Sequence, residues 1–498
     1  MSQPVHQAPL KAQDWRLLSV WVLFLAALRA ASDREVDAFW MVREGLALLQ
    51  GSPLVHPDVW SWAPVDRHFV PTSPLWQFAL AQSWKWAGLH GVFLVSFTSI
   101  ALALTLIAVL SRAIGAGPEL TVGILITVSI VCGPLFVARA ALPALTLFAL
   151  LAFVATRQLD RIRHMPMALA LGTSALWLGL TTSLGLWLHM SWSAYGPAAF
   201  VVVSVVAIFD RQMPMKKRLA VPAVALAGVM LAIALGPRGF RIFADAARVA
   251  DACRGLVVEW MHPWSVSAYW LLLWLATGIA LLAVAWWQHR RKVPWSDPAQ
   301  LFVLLGIAAW GCGALATRFA ATALFLGLPS LLVAAGRAAQ SQANAKWMRD
   351  RLTPAYWRPV LWVLLLALAP LLVTQANHAY SSVTDPTLRE LPPACRLFAK
   401  DDLSSPVLLA RPDVRVWIDG RLDYWGRDRM LRADRYLHSK TDVAPDGSTC
   451  ILVSTADRSG SYARLASTWR RIAAGNQVDV WIPRARKVAT PEGLNAGA

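Results

Sequence analysis

Long apolar runs dominate the chain, and most are long enough to cross a membrane. A membrane helix needs about 20 consecutive apolar residues, and about eleven runs approach that length. The pattern therefore predicts a polytopic α-helical membrane protein with about eleven transmembrane helices. The predicted spans are roughly 17–32, 90–111, 119–137, 140–156, 166–187, 193–209, 219–236, 265–287, 299–315, 319–336 and 359–376.

Short basic loops between these runs predict the orientation. If residues 1–16 are cytoplasmic, every basic loop within the membrane domain 17–380 also faces the cytoplasm, as the positive-inside rule expects. The loops hold Arg157, Arg161, Arg163, Arg211, Lys216, Lys217, Arg218, Arg290, Arg291, Lys292, Lys346, Arg349, Arg351 and Arg358. The first run could instead be a cleaved signal peptide. Because Arg29 interrupts the region before the cleavage-like site, we favour an uncleaved anchor.

Three segments are predicted to lie outside the cytoplasm: the loops 33–89 and 237–264 and the tail. In the first loop, residues 36–49 have the pattern of an amphipathic helix at the interface, followed by a stretch rich in Pro and Trp. In the tail, strand-length runs alternate with helix-like stretches, which predicts a small extracytoplasmic α/β domain over 381–485 and a disordered end over 486–498. The predicted strands are 406–410, 414–418, 450–453 and 477–482, and the predicted helices are 426–438 and 461–473.

Composition supports a membrane protein and argues against a nucleic-acid-binding one. Hydrophobic residues make up 57% of the chain and charged residues 15%, against about 25% charged in soluble domains. Many of the 26 Trp lie near the ends of apolar runs, where their rings favour the membrane interface. The net charge of +18 sits in the short loops, so it does not form a nucleic-acid surface. Cys395 and Cys450 could pair if the tail faces an oxidising space.

Three carboxylates follow the first span directly: Asp33, Glu35 and Asp37. In a helix, Asp33 and Asp37 share a face, whereas in an extended segment all three line one side. Either geometry offers a carboxylate pair, with Asp37 or Glu35 as general base or both as ligands of a divalent cation such as Mg²⁺ or Mn²⁺. The alternative is a solvated helix start, where acids are favoured by the helix dipole.

Further candidate residues fall on the same predicted outer side. Arginines there run against the usual charge bias and could clamp a phosphate or diphosphate through forked hydrogen bonds, or could simply extend to the interface. Glu259 is a second acid candidate or an ion-pair partner of one of them. The predicted phosphate- or donor-binding residues are Arg139, Arg238, Arg241, Arg318 and His189.

Motifs for nucleotide and common hydrolase sites are absent from the sequence. It contains no phosphate-binding Gly-rich loop ending in Gly-Lys-Ser/Thr, no dinucleotide fingerprint, no HExxH and no GxSxG. A group transferred on the outer side would therefore arrive on a lipid carrier rather than on a nucleotide.

An ordered set of short motifs resembles the GT-C superfamily of polytopic glycosyltransferases, and more closely a bacterial group near it. The motifs run in the expected order over nearly the whole chain. One, Asp-x-Asp-x-Trp-Trp-His, differs here by Glu35 at its first Asp and Met41 at its His, and the Asn of two other motifs is missing. The matching segments are 35–45, 53–61, 187–189, 236–243, 259–260 and 419–421.

This resemblance implies a bacterial inner-membrane glycosyltransferase that takes a sugar from a polyprenyl-phosphate carrier. It implies Asp37 as the catalytic base, outer loops that bind the lipid-linked donor, and an acceptor that is a glycan, a lipid or a protein. The tail domain would position that acceptor or cap the site. Two alternatives stay open: a non-catalytic part of an envelope assembly, which the missing His and Asn keep open, and a transporter of a lipid-linked intermediate. A transporter would favour polar residues in mid-span, whereas the candidates here lie at outer ends.

Overall fold

The chain divides into two compact units. The computed structural model describes residues 12–33, 35–210, 213–293, 297–342, 354–376, 385–438, 443–455 and 465–484. The first unit comprises Met1–His56 and Val70–Tyr380, and the second comprises Pro57–Phe69 and Ser381–Ala498. The second unit thus takes a short segment from the first predicted outer loop as well as the tail. Most of the predicted cytoplasmic N-terminus 1–16 and all of the predicted disordered end 486–498 lie outside the described residues.

The described part of the first unit is built from α-helices joined by loops. Every one of the eleven predicted spans overlaps one of its helices, because an apolar run of this length forms a helix that satisfies its own backbone groups. The helices are α1 (Ala12–Ala31), α2 (Asp37–Leu49), α3 (Pro74–Ala87), α4 (Leu89–Ala113), α5 (Pro118–Val131), α6 (Ala141–His164), α7 (Met167–Leu188), α8 (Trp192–Phe209), α9 (Met215–Ala234), α10 (Arg241–Cys253), α11 (Pro263–Val266), α12 (Ala268–Arg290), α13 (Pro298–Gly313), α14 (Arg318–Gln342) and α15 (Pro354–Ala376).

Eight of the described helices are long and apolar enough to cross a membrane: α4, α6, α7, α8, α9, α12, α14 and α15. Two further apolar helices, α5 and α13, are shorter. The chain is therefore a multi-pass membrane protein by helix length and composition, while the count of eleven spans and the orientation of the termini stay predictions.

The first predicted outer loop contains two helices, the expected α2 and an unexpected α3. Pro74 stands in the first turn of α3, where its missing N–H costs nothing. The two helices pack so closely that a Cβ on Gly45 would lie 2.1 Å from the Gln77 backbone oxygen, so only glycine fits there. The buried Glu44 of α2 also contacts His56 Nε2 at 2.9 Å. These contacts fix α2, which begins at Asp37.

The second unit is built around a five-stranded sheet. Its strand order is β2-β1-β3-β5-β4, with β1 parallel to β2 and β3, and with β5 antiparallel to β3 and β4. A disulfide joins Cys395, just before β1, to Cys450 at the start of β3, the pair considered from the sequence. The strands are β1 (Arg396–Phe398), β2 (Arg415–Val416), β3 (Cys450–Ser454), β4 (Trp469–Ala474) and β5 (Val478–Pro483). The helices are α16 (Asp401–Ala410), α17 (Leu422–Trp425) and α18 (Arg427–His438).

Two of the elements predicted in the tail are wrong. The run 406–410 lies inside α16 instead of a strand, because Asp401 and Asp402 form an acidic first turn that favours a helix start. The predicted helix 461–473 ends in β4, whose backbone pairs with β5, and its first residues fall outside the described ones. Pairing with a neighbouring strand outweighs local helix propensity at this position.

Segment 57–69 packs beside strand β2 of the second unit. Ser61 bridges Val416 in parallel, and the Val416 amide donates to the Trp60 carbonyl at 2.9 Å. The fully buried Arg421 ties this segment down, because its Nη2 donates to Asp58 at 3.0 Å and to Asp419 at 2.7 Å. Its guanidinium lies over four aromatic rings, those of Trp60, Phe69, Tyr424 and Trp425. Residues 58–61 and residues 419–421, which come from two of the matching sequence segments, thus meet within the second unit.

Candidate active site

A tight turn between α1 and α2 carries two of the candidate acids. The Glu35 amide donates to Asp33 Oδ1 at 2.9 Å, and the Asp37 amide donates to Glu35 Oε1 at 3.2 Å. The Trp40 indole N–H donates to Asp37 Oδ1 at 3.1 Å. Each carboxylate is therefore oriented by hydrogen bonds within the turn, and Asp37 begins α2 where the helix dipole favours its charge.

Arg139 brings the three candidate carboxylates together. It lies between α5 and α6, in a turn that its amide helps to close by donating to the Val137 carbonyl. Its Nε lies 2.5 Å from Glu35 Oε2, its Nη1 2.6 Å from Glu259 Oε1, and its Nη2 3.6 Å from Asp37 Oδ2. Burial lowers the pKa of Arg139, but these three carboxylates outweigh it and raise its pKa above the usual value. The guanidinium is therefore a permanent positive centre.

Asp37 is the more accessible member of the Glu35–Asp37 pair. Its side chain is 24% exposed against 7% for Glu35, and its contact with Arg139 is longer. Glu35 lies 2.5 Å from Arg139 and is nearly buried, whereas Asp37 is more exposed and lies 3.6 Å from the guanidinium. This difference suits Asp37 to accept a proton from an incoming group.

Glu259 reaches Arg139 from the loop before α11. That loop is attached to the turn before α14, because Thr317 donates its amide to the Met261 carbonyl at 2.9 Å and its hydroxyl to the Val258 carbonyl at 3.0 Å. Burial raises the pKa of Glu259, but the charges of Arg139 and Arg318 and the Arg139 hydrogen bond leave it below the usual value. Glu259 is therefore ionised at neutral pH.

Arg318 begins α14 beside this cluster. Its guanidinium lies 4.6 Å from the centre of the Trp260 ring, a cation–π contact. Among the described residues it makes no ion pair. Arg318 thus keeps donor capacity for an anionic ligand, whereas Arg139 is already surrounded by carboxylates.

His189 lies at the end of α7, near the positive charges. The Ser191 amide donates to His189 Nδ1 at 3.1 Å, so Nδ1 is the acceptor and the proton belongs on Nε2. Burial lowers the pKa of His189 to about 3, with further contributions from Arg318, Arg139 and Arg238. His189 is therefore a neutral N–H donor. The electrostatic influence of the three arginines on its pKa indicates that it lies near the Arg139 cluster.

The two other predicted arginines have different surroundings. Arg238 donates through Nη2 to the Val70 carbonyl and forms a 2.7 Å ion pair between Nη1 and Asp245 Oδ2. It thereby holds the chain leading into α3. Arg241, at the start of α10, is exposed to solvent. Neither contacts the carboxylate cluster directly among the described contacts.

Asp33 is not among the predicted catalytic residues, but it is central to the packing of this site. It is only 2% exposed and accepts hydrogen bonds from the Glu35 amide, from Ser96 of α4 and from the Ala138 amide. Burial, the largest cause, raises its pKa to about 6. Its contact with the residue before Arg139 could not be read from local spacing, although a charged residue at a membrane edge was the available signal.

The carboxylates suit Arg139 better than a divalent cation. All four oxygens of Glu35 and Asp37 face nitrogen donors: two from Arg139, one from the Asp37 amide and one from Trp40. Within the described residues, no group of three or more His, Cys, Asp or Glu side chains could hold a metal ion. A cation at Glu35 and Asp37 would therefore have to displace the guanidinium.

Comparison with solved structures identifies the fold. The chain is similar to the archaeal oligosaccharyltransferase AglB from Archaeoglobus fulgidus, solved with an inhibitory peptide and a dolichol-phosphate, at 10% identity and a TM-score of 0.58 over 91% of this chain and 70% of that one. It is also similar to ArnT from Cupriavidus metallidurans bound to undecaprenyl phosphate, at 12% identity and a TM-score of 0.50 over 96% and 99%. Protein-family models and curated proteins give no match.

These two similarities confirm the predicted fold class. The chain is a multi-pass helical membrane protein with a GT-C-like fold and a small C-terminal unit that contains a sheet.

Proposed function

We propose that this protein is a membrane glycosyltransferase that moves a sugar from a polyprenyl-phosphate carrier to a hydroxyl acceptor on the extracytoplasmic face. The observation that carries this proposal is the meeting of Glu35, Asp37 and Glu259 at Arg139 within a GT-C-like fold. Three segments that are distant in sequence supply these groups. The burial and the opposite charges in this cluster shift the pKa values of Arg139 and Glu259, and such perturbed groups are concentrated at functional sites.

The proposed reaction begins at Asp37. Its carboxylate accepts the proton of the acceptor hydroxyl, and the hydroxyl oxygen attacks the anomeric carbon of the sugar. The bond from that carbon to the phosphate oxygen breaks, and polyprenyl phosphate leaves with the bonding electrons. A single displacement of this kind inverts the configuration of the anomeric carbon.

Positive and neutral donors would stabilise the leaving phosphate. Arg318 supplies charge and free N–H groups, and His189 supplies the neutral Nε2–H. Arg139 contacts Glu35 and Glu259 and faces Asp37, and it thereby positions the Asp37 carboxylate. Arg238 and Arg241 have a supporting part in this proposal: Arg238 fixes the segment before α3, and Arg241 could contact the donor from the surface.

The two structural neighbours support the proposed donor class. AglB was solved with a dolichol-phosphate and ArnT with undecaprenyl phosphate, and both ligands are polyprenyl phosphates. The donor of this chain is proposed from that likeness together with the positive groups near His189. The sugar and the acceptor are left open to assay.

Purified protein in lipid nanodiscs tests the proposal with radiolabelled polyprenyl-phosphate sugars and a panel of glycan, lipid and peptide acceptors. Transfer of label to an acceptor, lost in Asp37→Asn, supports it. A wild-type protein that transports a lipid-linked sugar across the bilayer without transfer would instead support the transporter alternative. Binding without either activity would support the non-catalytic alternative, which the buried Met41 in place of a His keeps open.

A further inference from the structure

Asp33 occupies a buried position between the two halves of the carboxylate–arginine cluster. Its Oδ1 accepts the Glu35 amide at 2.9 Å, and its Oδ2 accepts the Ala138 amide at 2.6 Å and the Ser96 hydroxyl at 3.1 Å. These donors come from three places: the turn before α2, the turn before α6, and α4. A single side chain thus joins three segments of the first unit.

The two backbone donors belong to the site itself. Glu35 is the residue whose side chain lies 2.5 Å from Arg139, and Ala138 directly precedes Arg139. Among the described residues, neither amide has a backbone acceptor. Their positions therefore depend on Asp33, which supports both partners of the ion pair from the buried side.

We propose that Asp33 is a positioning residue that sets the distance between the Glu35–Asp37 turn and Arg139. This inference rests on the proposed function, since the distance matters for transfer only if the cluster is catalytic. Asp33 itself touches neither donor nor acceptor in this proposal. It acts through the backbones of Glu35 and Ala138.

A carboxylate is the only small side chain that satisfies this arrangement. It accepts hydrogen bonds on both oxygens, whereas the amide of Asn accepts on one atom and donates on the other. In Asp33→Asn, one of the two backbone amides would face an NH₂ group. The volume of the side chain is nearly unchanged, so the variant alters hydrogen bonding rather than packing.

Burying this carboxylate is energetically unfavourable, which favours a functional role for Asp33. An acid at a membrane edge is expensive unless its oxygens are satisfied. Arg29 of α1 carries the opposite charge and interacts electrostatically with Asp33. Arg29 is itself held in place by a 2.7 Å hydrogen bond to the Gly133 carbonyl.

Hydrogen–deuterium exchange of the full-length protein tests the structural half of this inference. In the wild type, the Glu35 and Ala138 amides should be protected although both lie outside helices. Asp33→Asn should speed the exchange of at least one of them by about tenfold or more. The matched variant Ser96→Ala removes the α4 contact alone and should leave the Glu35 amide protected.

Wild-type exchange decides this half even if Asp33→Asn does not fold. An Ala138 amide that exchanges as fast as open coil in the wild type would overturn the inference. So would protection of both amides that is unchanged in a folded Asp33→Asn variant.

Steady-state kinetics test the functional half. Because misplacement of the reacting groups slows chemistry more than binding, Asp33→Asn should lower kcat by about 10- to 100-fold, and KM for the donor should change by less than about threefold. Ser96→Ala should retain kcat within about threefold of wild type. Equal kcat in Asp33→Asn and wild type would overturn the positioning role. Absence of transfer in the wild type would instead overturn the proposed function, and exchange at Ala138 would still decide whether Asp33 holds the turn.

Discussion

Glu35 Oε2 lies 2.5 Å from Arg139 Nε, although the four helices α2 to α5 separate the two residues in the sequence. The same guanidinium contacts Glu259 and faces Asp37. This one ion pair links the turn before α2 to the turn before α6 and leaves Asp37 as the accessible carboxylate.

Arg139 should be essential for transfer. Arg139→Ala would leave three carboxylates facing one another, and we expect kcat to fall by about 10²- to 10³-fold. Arg139→Lys should also be impaired, because an ammonium is a point charge that cannot span three carboxylates. Steady-state transfer assays measure both. The control is Arg254→Ala, an exposed arginine after α10, which should keep wild-type rates; full activity of Arg139→Ala would show that the cluster is not catalytic.

Transfer should not require a divalent cation. The oxygens of Glu35 and Asp37 already face nitrogen donors, so the guanidinium of Arg139 occupies the place between them. We expect the rate to be unchanged after dialysis against EDTA and after addition of Mg²⁺ or Mn²⁺. Loss of activity with chelator and its recovery with metal would mean that a cation displaces Arg139 when the donor binds.

His189 should act as a neutral donor over the physiological pH range. Because its pKa is lowered to about 3 in the folded protein, the unfolded chain binds the extra proton between about pH 6.5 and pH 3. Stability from this group is fully present above about pH 6.5 and is lost as pH falls toward 3. The thermal midpoint of wild type should therefore fall more between pH 7 and pH 5 than that of His189→Gln.

The same variant distinguishes a donor from a general acid. The amide of Gln retains an N–H donor, so His189→Gln should keep a measurable rate and the wild-type pH profile between pH 6 and 8. If wild-type activity instead shows a limb near pH 6.5 that the variant lacks, His189 changes protonation state during the reaction.

Arg421 should be essential for the stability of the second unit. Arg421→Met keeps much of the volume but leaves Asp419 and Asp58 buried without their partner. Removing one side of a buried ion pair costs about 3–5 kcal/mol. Limited proteolysis and exchange of the β-strand amides should show the loss, whereas Arg470→Ala, an exposed arginine of β4, should not. Equal protection in both variants would contradict a supporting role for the Arg421 cluster.

Much of the membrane fold follows from the sequence, because long apolar runs have few other stable structures in a bilayer. The secondary structure of the tail follows less directly from the sequence. The run 406–410 has strand length, yet it continues a helix begun by Asp401 and Asp402, and β4 is fixed by pairing with β5. Short apolar runs are compatible with a strand or a helix, so contacts with neighbouring elements determine which one forms.

The sequence indicates which residues are candidates for the site, but not all the contacts that hold them together. Charge placement pointed to Glu35, Asp37, Glu259 and Arg139, and the structure brings these four together. The sequence alone could not show that Asp33 accepts a hydrogen bond from the Ala138 amide, or that segment 57–69 packs with Arg421. Both contacts join parts of the chain that are far apart in sequence. Such contacts depend on the folded packing rather than on any local pattern.

Transfer by Asp37→Asn, compared with wild type, tests the catalytic proposal most directly. The substitution keeps the size of the side chain and removes its ability to accept a proton, and Asp66→Asn, at an exposed acid of segment 57–69, is the matched control. With a labelled polyprenyl-phosphate sugar and an accepted substrate, we expect Asp37→Asn to lose at least about 10²-fold in kcat while Asp66→Asn keeps wild-type activity. Wild-type transfer by a folded Asp37→Asn protein would rule out Asp37 as the base.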